Sequence, residues 1–201
     1  MSVPRKERAD AARNREAVLI AAARLFAERG DPERVSMDDI AVAAGVGKGT
    51  LFRRFGDRVG LVRALVQQRT EQLRADVLTG PPPLGPGAPA GERVLAVLDA
   101  LLRFKLDNRP LMLALENAGS GSPYRNDAYS LWHAELATLL AEARGDGSAD
   151  FLAHALLAAV RSDLIEHLVA GGMSRERIHA GVAALARAVL ANAVGDLRQR
   201  Q

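Results

Sequence analysis

Residues 80–91 read Gly-Pro-Pro-Pro-Leu-Gly-Pro-Gly-Ala-Pro-Ala-Gly, and five prolines with four glycines leave no room for a helix there. The rest of the chain is patterned for helices. Apolar residues recur at three- and four-residue spacing, and no stretch alternates β-branched residues with period two, so no strand is expected. The Pro/Gly run therefore reads as a linker, residues 79–91, in an all-α chain of about nine helices. It divides residues 1–56, with a connecting helix over 57–78, from a domain over 92–201. A chain of 201 residues with 48% apolar and 25% charged content can bury a sizeable core. It has no cysteine, which excludes disulfides, thiolate metal sites and a cysteine nucleophile. No apolar run reaches membrane-spanning length and no secretory signal opens the chain, so a cytoplasmic location without membrane contact is expected.

Charge is unevenly spread. Residues 1–78 hold 15 Lys+Arg against 11 Asp+Glu, a balance of +4, while residues 79–201 hold 12 against 13. A basic first part points to an anionic partner for that part.

The first helix is expected over residues 10–29, with Val18, Ala22, Leu25 and Phe26 on one stripe and Gly30 ending it. Ser36 opens a short helix: its hydroxyl can cap, Asp39 completes an S-x-x-D box, and Val35 can pack on Ile40. Gly45 ends that helix and a second short one holds Lys48 to Arg54. Asp57 then caps a long helix to about Leu78, with Leu61, Leu65 and Leu73 on its buried side. Two short helices joined by a tight glycine turn form a helix-turn-helix, in which Ala41 must be small and Ile40, Ala44, Val46 and Leu51 fill the space between helices. The second helix of such a unit enters the major groove with its N-terminal residues toward base edges, here Lys48, Gly49, Thr50, Phe52 and Arg53.

The run Arg15-Glu16-Ala17-Val18-Leu19, Leu25-Phe26-Ala27-Glu28-Arg29-Gly30, Ser36-Met37-Asp38-Asp39-Ile40-Ala41, Ala44-Gly45-Val46-Gly47-Lys48-Gly49-Thr50-Leu51-Phe52-Arg53-Arg54-Phe55 resembles the TetR-like family of bacterial transcriptional regulators. The resemblance covers residues 11–70. It implies an all-α dimer that represses transcription from a double-stranded DNA operator until a small-molecule ligand binds the C-terminal domain. It also implies DNA contacts from Ser36, Lys48, Thr50, Phe52, Arg53, Arg54 and Arg58. Three positions depart from the family pattern. Gly47 replaces a Ser or Thr and removes a side-chain cap. Phe52 replaces a Tyr and loses a hydroxyl. Arg58 replaces a Lys, and Gly60 follows it in the first turn at a helix-propensity cost of about 1 kcal/mol. The basic residues Arg5, Lys6, Arg8 and Arg13 form an arm that reads first as solvated, with phosphate contact as the alternative.

Beyond the linker, helices are expected near 92–108, 110–118, 124–144, 149–171 and 174–198, with Pro110 and Pro123 as starts and Gly145 and Gly171-Gly172 as stops. The last two are the most apolar, through Phe151, Leu152, Leu156, Val160, Leu164 and Leu168, then Ile178, Val182, Leu185, Val189 and Val194. By the resemblance they form a homodimer interface over 149–198; a core within one chain is the other reading. Phe104, Met112, Glu116, Asn117, Tyr129, Trp132 and His133 are candidate ligand-cavity residues, though each also fits a core or solvated role. Asp163 and His167 share a face, but two ligands make no metal site, and no cofactor is implied. No Ser-His-Asp arrangement, phosphate loop or dinucleotide fingerprint occurs, so an enzyme is not expected. An all-helical enzyme, or an assembly protein with an incidental helix-turn-helix, is the alternative.

Overall fold

The structure is a computed structural model and describes residues 5–117 and 127–191, with side chains from 10–115 and 127–191. Among the described residues it is all-α, without a strand. In chain order the helices are α1 (Arg5–Arg29), α2 (Met37–Ala44), α3 (Lys48–Phe55), α4 (Arg58–Thr79), α5 (Ala90–Asp107), α6 (Arg109–Asn117), α7 (Asp127–Arg144), α8 (Ala149–Ala159), α9 (Ser162–Ala170) and α10 (Arg175–Ala191). None is long and apolar enough to cross a membrane. The expected helix start at Pro123 and the apolar Val194 lie outside the described residues.

The chain forms two compact units: residues 1–69 with 110–119, and residues 70–109 with 120–201. The first unit's core comes from Val18, Leu19, Ala22 and Phe26 of α1, Ile40 and Ala41 of α2, Leu51 of α3, and Leu61, Val62 and Leu65 of α4. Leu111 of α6 is buried in the same core, with Ala114 and Leu115 packed against it. A segment read from sequence as part of the second domain thus completes the first unit's core.

The second unit's core is built from Val94, Val97, Leu98, Leu101 and Leu102 of α5, Trp132, Leu136, Leu139 and Leu140 of α7, Leu156 and Leu157 of α8, Ile165 of α9, and Ile178, Val182 and Ala186 of α10. Two expectations change here. The helix foreseen over 149–171 is two helices. Arg161 is extended (φ −66°, ψ 144°), and its guanidinium holds Asp163 at 2.9 and 2.5 Å while Asp163 Oδ1 accepts from the Leu164 N–H at 2.8 Å. The break falls at Val160 and Arg161, with no proline or glycine there and no side-chain cap on the helix that follows. The second change is at the Pro/Gly run: α5 already begins at Ala90, with Pro89 at its N-cap. The turns before it are packed, because Leu84 lies against the core and Arg93 donates to the Leu84 and Val77 carbonyls at 3.5 and 3.1 Å and to Glu135 at 3.1 Å.

Candidate nucleic-acid interface

The local chain of α2 and α3 is held by the groups expected of it. Ser36 Oγ accepts from the Asp39 N–H at 3.0 Å, and Asp39 Oδ2 accepts from the Ser36 N–H at 3.2 Å, closing a reciprocal capping box. The Ser36 backbone N–H, then its hydroxyl, and last the Arg29 charge hold the Asp39 carboxyl below the usual carboxylate range. Gly45 adopts φ +65°, the left-handed turn that closes α2, and the Val46 N–H bonds back to the Ala41 carbonyl at 3.0 Å. Gly47 stands at the N-cap of α3 with no side-chain cap, as its lack of a side chain requires. Val35, Ile40 and Leu51 are fully buried, so α3 is fixed from beneath.

On the outer side of α3 the polar residues are left to water. Arg53 and Phe52 are exposed, Thr50 is half-buried, and nothing lies within 4 Å of the place a Cβ would take on Gly49. Lys48 Nζ pairs with Asp38 at 2.8 Å and stands 5.8 Å from the centre of the Phe52 ring. Both partners of that ion pair are more than half exposed, and such pairs are worth about 0–1 kcal/mol. Releasing Lys48 to an anion costs little.

Two candidate arginines have partners that spacing could not reveal. Arg54 Nη1 donates to the Ala11 carbonyl of α1 at 2.8 Å, and Arg58 Nη1 donates to the Glu33 carbonyl at 2.9 Å. Arg54 thus ties α1, and Arg58 the turn before α2, to the α3–α4 corner. A guanidinium has five N–H donors, so each arginine keeps donors for a phosphate. Arg54 also borders a shallow groove of about 260 Å³ between α1 and α3, lined by Asp10, Asn14, Thr50 and Arg53 among others. Of the basic arm, Arg13 pairs with Asp10, while the side chains of Arg5, Lys6 and Arg8 lie outside the described ones.

Gly60 is more than a weak helix former. A Cβ there would stand 2.0 Å from the Phe55 carbonyl oxygen, while its N–H donates to Asp57 Oδ1 at 2.7 Å. Asp57 thus caps α4 as expected, and the tight α3–α4 corner requires glycine at position 60.

Residues 18–65 match the family model of bacterial regulatory proteins, tetR family. Residues 18–65 are thus similar to the amino-terminal domain of that family. The chain's described helices also follow solved structures of this class. A TetR-like transcriptional regulator from Rhodococcus sp. RHA1 is 26% identical, with 95% of this chain and 100% of that chain covered at a TM-score of 0.57. A TetR transcriptional regulator from the same organism shares the fold at 22% identity, 94% and 99% coverage and a TM-score of 0.58. An HTH-type transcriptional regulator of Staphylococcus aureus is 32% identical over 129 residues, spanning 61% of this chain and 64% of that relative's length. The chain therefore aligns with less than two thirds of that relative.

The matched residues 18–65 contain the candidate DNA residues; the candidate ligand residues are divided between the two units. Met112 belongs to the first unit. In the second unit Trp132 is buried in the core and Phe104 is half-buried. Tyr129 and His133 do come together, beside His154. The Glu116 and Asn117 side chains lie outside the described ones.

Proposed function

We propose that the chain is a DNA-binding transcriptional regulator: a dimeric repressor whose α3 enters the major groove and which a small-molecule ligand releases from a palindromic operator. The observation that carries this reading is the exposed face of α3, with Lys48, Thr50, Phe52 and Arg53 on a helix whose other side is locked by Leu51. Lys48, Gly49, Thr50 and Arg53 face base edges, whereas Ser36, Arg54 and Arg58 position the domain on phosphates. Relatives named as transcriptional regulators, and not as enzymes, support this class over an all-helical enzyme.

One α3 reads too few base pairs to select a site, so two copies are needed, with half-sites about 34–36 Å apart or a multiple of that spacing. Large apolar side chains left in water support a two-fold contact over 149–198: Phe151 of α8 is 75% exposed, Leu164 of α9 38% and Leu185 of α10 42%. Residues 92–201 supply the ligand-binding and dimerisation part, and release acts through α6, whose Leu111 sits in the core that supports α3. A ligand with 1–3 kcal/mol of coupling weakens operator binding about 5- to 150-fold.

The test is selection of duplexes from a random pool by the pure chain, followed by a salt titration of binding. A two-fold-symmetric consensus with affinity falling steeply as salt rises is expected. Enrichment of no sequence would contradict the reading.

A further inference from the structure

One cluster of titratable side chains has no part in DNA binding. Tyr129 and His133 lie one turn apart on α7, and Asp150 and His154 one turn apart on α8. Packing of the two helices brings the four residues together. The His133 and His154 rings stack with centroids 3.8 Å apart at 23°, and the Tyr129 ring lies 6.3 and 5.8 Å from them. His133 Nε2 is 3.2 Å from the Asp150 carbonyl oxygen and 3.5 Å from Asp150 Oδ1. Tyr129 Oη is 2.5 Å from His154 Nδ1. Ligand atoms of His133, Asp150 and His154 all lie within 4.8 Å of one another, and among the described residues no other three His, Cys, Asp or Glu side chains gather so closely.

The core does not need this cluster. Asp150 and His154 are exposed and His133 half-buried, while Leu136, Leu140, Ala153 and Leu157 are buried in the core that α7 and α8 share. We propose that His133, Asp150 and His154 bind a divalent first-row transition-metal ion, of the zinc(II) class. This proposal does not depend on DNA binding.

The donor set selects the class. Two imidazoles and one carboxylate suit zinc and its neighbours, whereas magnesium and calcium take oxygen ligands almost entirely. Tetrahedral zinc at about 2.0–2.1 Å from each ligand places the ligand atoms about 3.4 Å apart. His133 Nε2 and Asp150 Oδ1 already stand at 3.5 Å. The remaining pairs stand no more than 4.8 Å apart, so bringing them onto one ion asks for about an ångström of closure and a turn of the stacked rings away from parallel. Tyr129 gives the geometry its direction. When an ion is bound, His154 carries its proton on Nδ1 and donates it to the Tyr129 oxygen, leaving Nε2 as ligand; such an outer partner fixes the tautomer and orients the ring. His133, with Nε2 as ligand, carries its proton on Nδ1. Three protein ligands leave a fourth position for water or a further donor.

The experiment is calorimetric titration of the full chain, freed of metal with a chelator, with zinc chloride. It is repeated with cobalt(II), whose visible absorption reports tetrahedral coordination. One ion per chain is expected. His154→Ala and Asp150→Asn, both at exposed positions, should each weaken binding at least about 10-fold, and Tyr129→Phe about 10-fold through the lost outer partner. His167→Ala, at a surface histidine outside the cluster, should change nothing. Circular dichroism checks that each variant is folded. Zinc binding that survives His154→Ala and Asp150→Asn undiminished would overturn the proposal, as would a wild-type titration no different from that of the two variants.

Discussion

The two units carry their chemistry in different ways. In the first, the candidate site is nearly contiguous in sequence: Ser36, Lys48, Thr50, Phe52, Arg53 and Arg58 fall within one short stretch, around a capped helix and a left-handed glycine. In the second, the cluster around His133 and His154 takes two residues from α7 and two from α8, joined only by the packing of those helices. Chemistry set by local geometry shows in residue spacing. Chemistry set by tertiary packing does not.

The same contrast explains what the sequence disclosed. The capping box, the Gly45 turn, the buried stripe of α1 and the Asp57 cap were legible because each depends on residues within one or two turns. The carbonyl partners of Arg54 and Arg58 were not, since any residue presents a carbonyl and the ones chosen lie 43 and 25 positions away. The sequence groups Leu111 with its neighbours over 92–201, yet it fills the first core, because helical periodicity says which face is apolar and not which core receives it. From sequence His133 reads only as one ligand-cavity candidate and His154 gives no signal, because each helix alone shows a lone imidazole.

Substitutions test this division, and the largest effect should come from the residue that crosses it. Leu111→Ala removes a buried side chain from the first core and should cost about 2–5 kcal/mol. Amide exchange should show the loss in α2 and α3 first. Protection lost only in α7 and α8 would assign α6 to the other unit.

Next are two glycines that look alike in sequence. Gly60→Ala forces a methyl onto the Phe55 carbonyl and should cost about 1–3 kcal/mol by denaturant titration. Gly49→Ala meets open space and should gain up to about 1 kcal/mol through helix propensity. Equal signs for the two would show that the α3–α4 corner is slacker than its geometry indicates.

A smaller effect belongs to the second unit and appears only in acid. Arg144 and Asp146 are nearly buried, with side chains 7% and 12% exposed. Hydrogen bonds from Arg144, then from the Ser148 hydroxyl and N–H, hold the Asp146 carboxyl at about 2, below its ordinary 3.8. The folded chain thus releases this proton more readily than the unfolded one. The carboxylate stabilises the fold fully above pH 3.8, and that contribution fades as pH falls toward 2. The stability gap between wild type and Asp146→Asn, followed by fluorescence of Trp132, should close over this window. A gap independent of pH would assign the effect to packing alone.

If α3 reads sequence while the residues around it grip phosphate, duplex selection with variants should separate the two roles. Lys48→Ala and Thr50→Ala should each enrich a different consensus from the wild-type chain, with about 1–3 kcal/mol of discrimination lost per base contact. Arg58→Ala should enrich the wild-type consensus, bind it more weakly and lower the salt slope by about one. An unaltered consensus for both Lys48→Ala and Thr50→Ala, with weakening equal on selected and random duplexes, would mean that α3 does not read sequence.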